Sequence, residues 1–180
     1  MWKNAIVLVI ANVIAGNAAS AAVVDSNASG FSIEQQIHIA TPPDKVYAAL
    51  VQPQKWWDPR HTYSHDAANL SLDPKAGGCW CERLSDGGTV QHLVVVFADP
   101  GKMLRVRGAL GPLQATGGDG AFTWTLKSDG QATDLTLAVQ FGGYMKGGFT
   151  DLSGAVDQVL GDQNARLKSF VETGQPNSVH

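Results

Sequence analysis

The chemistry open to this chain is carried by a few polar residues set among apolar ones. Glu82 lies in the run CWCERL (79–84), where it shares a strand face with Trp80, opposite Cys79, Cys81 and Arg83. A carboxyl group beside a tryptophan in a closed cavity is costly to ionise, so its pKa rises and it becomes a proton donor or acceptor for an apolar substrate. The simpler alternative leaves Glu82 at the solvent or pairs it with Arg105 or Arg107, which share one face of the run MLRVRG. His92 belongs to VQHLVVVFA, on the side of Val94 and Val96, while Leu93, Val95 and Phe97 take the other side. Facing a cavity, its imidazole is an acid, a base or a ligand anchor; otherwise it is a hydrogen-bonded structural histidine. Alternation alone does not choose between the two faces.

Three further sets of residues invite the same question. Gln163 sits within the apolar stripe of the last helical segment, where a primary amide must be hydrogen-bonded, to a ligand or more simply to backbone, Tyr144 or an ordered water. Cys79 and Cys81 are the only cysteines. In an extended strand they lie roughly 6.6 Å apart, so a disulfide requires a bulge. Two thiols, or a zinc or copper site completed by His92 or His61, are the alternatives, but the spacing matches no zinc signature and no metal is expected. His61, Tyr63 and His65, just after Trp56 and Trp57, form a polar and aromatic loop able to close a cavity mouth. The glycines fall at hairpin turns and before the last helix, forming neither a phosphate-cradling loop nor a dinucleotide fingerprint, and no cofactor is expected.

The elements that must position these residues can be read from periodicity. FSIEQQIHIA alternates, with Phe31, Ile33, Ile37 and Ile39 on one face, and predicts a half-buried strand. Two short helices follow, one from Asp44 that ends before Pro53 and a second over Gln54 to Trp57 that Pro59 cuts short. Six runs separated by Gly, Asp and Pro turns then predict strands at antiparallel hairpin spacings. From about Asp151 to Glu172 apolar residues recur every three or four positions, which predicts a long helix capped by Thr150 or Asp151 and stopped by Gly174. The expected fold is α+β, a curved antiparallel sheet of about seven strands around the C-terminal helix. Phe122, Trp124, Leu137 and Phe141 supply the apolar sheet face under that helix.

Composition bounds the rest. The chain has 180 residues, 44% hydrophobic and 16% charged, with a net charge of −3. That suits one globular domain, and its scattered basic residues exclude nucleic acid as a partner. One lysine, an apolar run from Ala5 to Ala15 and the small residues Ala19-Ser20-Ala21 predict an export signal cleaved after Ala21, with no membrane span thereafter and a periplasmic or secreted location. A flexible segment is expected over 22–30, the domain over 31–174 and a tail over 175–180.

The element order, together with TPPDKVYAALVQPQKWWDP, AGGCWCERLSDGGTVQH, DPGKMLRVRGALGPLQ and GGYMKGGFTDLSGAVDQVLGDQNARLKSF, resembles the helix-grip superfamily of START domains and birch-pollen allergens, abbreviated SRPBCC. The resemblance is nearest to its polyketide cyclase/dehydrase and heat-shock ATPase activator homologue branches, and it spans about Phe31 to Glu172. It implies a cavity between sheet and helix, on a scaffold that serves carriers, cyclases, hydrolases and sensors. The leading expectation is an exported protein that binds a hydrophobic small molecule, a lipid or aromatic metabolite, through Trp80, Phe122, Trp124, Leu137, Phe141, Tyr144 and Gln163. A cyclase- or dehydratase-type enzyme using His92 or Glu82 is the second, and a structural or interaction domain with a filled core the third.

Overall fold

The computed structural model describes residues 20–177. Eight strands among them form one antiparallel sheet: β1 (Ser20–Asn27), β2 (Gly30–Ile39), β3 (Leu70–Leu72), β4 (Cys79–Arg83), β5 (Thr89–Asp99), β6 (Met103–Gly108), β7 (Gly117–Asp129) and β8 (Ala132–Tyr144). Their spatial order is β1-β2-β8-β7-β6-β5-β4-β3. Every chain neighbour except β2 and β3 is also a hydrogen-bonded neighbour, as short turns require. Between β2 and β3 come α1 (Pro43–Leu50) and three 3₁₀ turns, and α2 (Ser153–Thr173) closes the fold. This is the helix-grip architecture expected from the sequence.

Three local differences have physical reasons. The sheet gains an eighth strand because most of the segment read as flexible, together with Ser20 and Ala21, pairs with β2 along an otherwise open edge. The rest of the predicted export signal, residues 1–19, lies outside the described residues. The second short helix is only a 3₁₀ turn, Pro53–Lys55, followed by a single α-type bond from the Trp57 N–H to the Pro53 carbonyl (2.9 Å), and Pro59 keeps it from continuing. Neither Thr150 nor Asp151 caps α2 with its side chain; a 3₁₀ turn, Thr150–Leu152, leads into the helix and Ser153 bonds back to the Thr150 carbonyl. At the far end Gly174 adopts a left-handed conformation (φ 80°) and its N–H bonds the Phe170 carbonyl, the expected stop.

The long hairpin of β7 and β8 sets the floor of the core. Phe122 pairs with Val139 and Trp124 with Leu137, all four buried under the helix side of the sheet. Phe31, Phe141 and Phe149 pack together, with Phe31 stacked on Phe141 at 5.4 Å and Phe149 edge-on to both.

The helix is fastened by polar bonds spread from Asp157 to Lys168. Leu160 and Leu167 are buried, but so are the amides Gln163 and Asn164 between them. Asn164 Nδ2 donates to Gln35 Oε1 (2.7 Å), and Gln35 Nε2 donates to the backbone and side-chain oxygens of Asp157 (2.7 Å each). Arg166 Nε donates to the Trp56 carbonyl (2.9 Å), and Lys168 Nζ to the His38 carbonyl (2.6 Å). The helix thereby lies against β1, β2 and α1, away from β4 to β7.

Asn164→Leu should therefore lower stability by about 1–3 kcal/mol, because it leaves the buried Gln35 carbonyl without its donor. Adding Gln35→Met should recover part of that loss in urea unfolding, as removing both partners of a buried hydrogen bond costs less than removing one. Strictly additive losses would show that the two amides do not act as a pair.

Candidate functional site

The site is assembled where β4 and β5 pair irregularly. Cys79 pairs with Val94 and Trp80 with Leu93, but Cys81 pairs with Gln91, so His92 is an extra residue opposite the Trp80–Cys81 step. The bulge breaks the alternation of β5 and lets His92 and Leu93 both face inward, at 5% and 1% exposure. The two-faced ambiguity of this strand is thereby resolved in a way that simple alternation does not allow. Gly108 makes the close approach feasible: it has φ 137°, and a Cβ there would meet the His92 carbonyl at 2.6 Å. Opposite the bulge, Cys79 and Cys81 are joined as a disulfide with their Cα atoms 5.4 Å apart, closer than in a regular strand, so these sulfurs are not free to ligate a metal with His92 or His61.

Glu82 is fully buried and accepts three hydrogen bonds. Tyr63 N–H (3.1 Å), Ser64 N–H (2.5 Å) and His92 Nε2 (2.8 Å) converge on its two oxygens. The expected partners lie elsewhere: Arg105 Nε donates to Thr123 Oγ1 (2.9 Å), and Arg107 pairs with Asp119. Nor is the carboxyl raised by its burial. Burial taken alone would raise it, but the donors from Ser64, His92 and Tyr63 outweigh that effect and hold it below the usual carboxylate range. Glu82 is thus an anchored anion. It pins the loop after Thr62 to β4 and fixes the ring of His92, which also stacks on Tyr63 at 5.9 Å.

Above this pair lies a cavity of about 640 Å³. Leu152 of the 3₁₀ turn before α2 and Val156, Val159 and Leu160 of α2 form its roof, and Trp80, His92 and Phe122 its sheet wall. Leu110, Pro112, Leu113 and Met145 close one side, Trp57 and Leu70 the other. Exposed Arg60, His61 and Tyr63 mark the rim, where Tyr63 Oη donates to the Gly111 carbonyl (2.9 Å) and ties the two rim loops together. The wall is rich in tryptophan because Trp57 meets Trp80 edge-on (5.3 Å), with Trp56 and Trp124 behind them.

The residues proposed from sequence divide accordingly. Trp80, Phe122 and His92 line the cavity, and Glu82 supports the wall from behind. Trp124, Leu137 and Phe141 are packed core beneath or beside it, and Tyr144 is 77% exposed, so none of these four touches the space. Gln163 is not at the wall either: its Oε1 accepts the Asp58 N–H (2.8 Å), which answers where its carbonyl goes without Tyr144. Of the loop patch, His61, Tyr63 and Trp57 reach the cavity, while Trp56 is buried behind it and His65 does not line it. The roof of α2 and the 3₁₀ turn Gly111–Ala115 were missed as wall; the only available signal was the small and aliphatic run Ala155, Val156, Val159, whose residues are exposed or half-buried where a packed helix face would be buried.

Residues 30–172 match the family described as "Polyketide cyclase / dehydrase and lipid transport". The chain belongs to this family. No curated protein is recognisably similar in sequence. Among solved structures it is similar to EF2215 of Enterococcus faecalis, a conserved protein of unknown function (16% identity, TM-score 0.61, covering 90% of this chain and 82% of that one). It is also similar to CalU16 of Micromonospora echinospora (15%, TM-score 0.52, 85% and 87%). DynU16, from the dynemicin biosynthetic locus, matches at 20% identity and TM-score 0.56, over 81% of this chain and 48% of its own. At such identities the likeness establishes the shared fold.

The anchored carboxylate makes a pH prediction. Because the folded carboxyl is held below its ordinary value of 4.5, the unfolded chain takes up the proton first as pH falls. Glu82 therefore stabilises the fold fully above that value and ceases to do so as pH drops through the folded one. Glu82→Gln should cost about 1–3 kcal/mol in urea unfolding at neutral pH, and the gap to the native protein should close in acid. A gap that stays constant would show that Glu82 is not anchored as an anion.

Proposed function

We propose that this protein binds a hydrophobic small molecule, a lipid or an aromatic metabolite, between its sheet and the N-terminal half of α2. The observation that carries the reading is the cavity of about 640 Å³ with aromatic and aliphatic walls. Its size falls within the roughly 300–1,000 Å³ of small-molecule sites, and the stability that an unfilled apolar space costs is recovered when a guest occupies it. A filled structural core is the weaker reading for the same reason. Membership of a family described by cyclases, dehydrases and lipid transport agrees with an apolar ligand.

Export is part of the proposal. Its support is the apolar run from Ala5 to Ala15 with its small-residue end, together with a disulfide suited to an oxidising compartment. Cleavage after Ala21 would leave Ala22 to Asn27 paired with β2. Mass spectrometry of the protein recovered from outside the cytoplasm should find Ala22 as its first residue; an intact Met1 would refute export by this signal.

A second reading, acid–base catalysis of cyclase type, is favoured by one observation: His92 at the cavity wall is oriented by a buried carboxylate, the arrangement that readies an imidazole for proton transfer. In it His92 exchanges the proton and Glu82 only positions the ring.

Binding is tested by native mass spectrometry and by titration with the neutral dye Nile red. Val159→Trp places an indole in the cavity from its roof. It should weaken dye binding by about tenfold or more, equivalent to about 1.4 kcal/mol, with the melting temperature nearly kept because Val159 is only half-buried. Unchanged dye affinity would place the bound molecule elsewhere.

A further inference from the structure

We infer that the cavity selects apolar ligands carrying a hydrogen-bond donor, a hydroxyl or a phenol, which docks on Nδ1 of His92. The inference rests on the binding reading above and adds the chemical class of the ligand. It follows from where the protons of the wall are already committed. Glu82, held as an anion, can only accept, so His92 Nε2 must be the donor of their 2.8 Å bond. That leaves Nδ1, which is buried and has no partner among the described residues. In a neutral imidazole whose Nε2 donates, the other ring nitrogen carries a lone pair. Nδ1 is therefore an acceptor awaiting a donor.

The hydroxyls of the wall are spent in the same sense. Tyr63 Oη donates to the Gly111 carbonyl (2.9 Å), Thr62 Oγ1 to the Pro59 carbonyl (2.8 Å) and Thr116 Oγ1 to the Leu113 carbonyl (2.7 Å). Each of these oxygens has its proton turned to backbone and keeps only lone pairs for a guest. At Nδ1 a ligand offering an acceptor alone, such as an ether or a carboxylate, would set lone pair against lone pair, whereas a hydroxyl supplies the proton that position lacks.

The test uses three probes of one shape: 2-naphthol, 2-methoxynaphthalene and 2-naphthoate, titrated by displacement of Nile red near neutral pH. The naphthol should bind about tenfold more tightly than the ether, the worth of one well-made hydrogen bond, and the naphthoate more weakly than the naphthol. His92→Phe should erase the naphthol's advantage, bringing the affinities of naphthol and ether to within about twofold of each other, less than half a kcal/mol. Should that variant fail to fold, the native protein gives a second readout: the ¹⁵N spectrum of His92 should show Nδ1 unprotonated in the free protein and hydrogen-bonded with naphthol. Equal affinities for naphthol and ether, or a protonated Nδ1, would overturn this inference and leave the binding reading standing. Failure of the dye and all three probes to bind would overturn both.

Discussion

The arrangement depends on how α2 is fastened. A helix covering a sheet with an unbroken apolar stripe would settle along its whole length and leave no space beneath it. Here the grip is localised: Gln35 and Asn164 bond across the β2–α2 interface, Gln163 takes the Asp58 N–H, and Arg166 and Lys168 bond backbone carbonyls of Trp56 and His38. Directional bonds between buried amides admit few orientations, and an amide left unpaired there is expensive. The helix is thus held along the side carrying Asp157, Asn164 and Lys168, while Val156 and Val159, with Leu152 just before the helix, span the gap towards β4 to β7 as a roof. Hydrophobic burial provides most of the stability of such a domain; the polar grip decides where the helix rests.

A second constraint works inside the space this creates. The carboxylate of Glu82 has no access to water, and a buried charge is tolerable only when its lone pairs are met. Meeting them requires two backbone N–H groups from the loop at Tyr63 and Ser64 and the ring of His92. One group thereby sets both the rim of the cavity and the protonation pattern of its wall. The bulge in β5 and the disulfide in β4 serve the same end, since without the extra residue at His92 the regular pleat would put either His92 or Leu93 at the solvent.

How much of this was legible depends on the range of the interaction concerned. Strand alternation in FSIEQQIHIA, the turn residues between the later strands and the three-to-four spacing of α2 are local signals of backbone geometry, and the fold they imply is the fold observed. Glu82 and His92 were recognisable as candidates from their types and apolar settings. Their partnership was not, because it depends on a register shift that no periodicity encodes, and Arg105 and Arg107 looked equally available to Glu82. Trp124, Leu137 and Phe141 carried the right chemistry for a binding wall but fill the floor instead, since depth within the core is set by the neighbours above each residue.

By itself the sequence determined the elements, their order and their antiparallel pairing, the family and the small set of residues with chemistry to offer, because each follows from residue type and short-range spacing. The tertiary structure alone decided that the helix roofs a hollow, that a bulge turns His92 inward, and that Glu82 takes its donors from a loop and a neighbouring strand. Those outcomes come from contacts between residues distant along the chain, where a shift of one position in register changes which side chain meets the cavity.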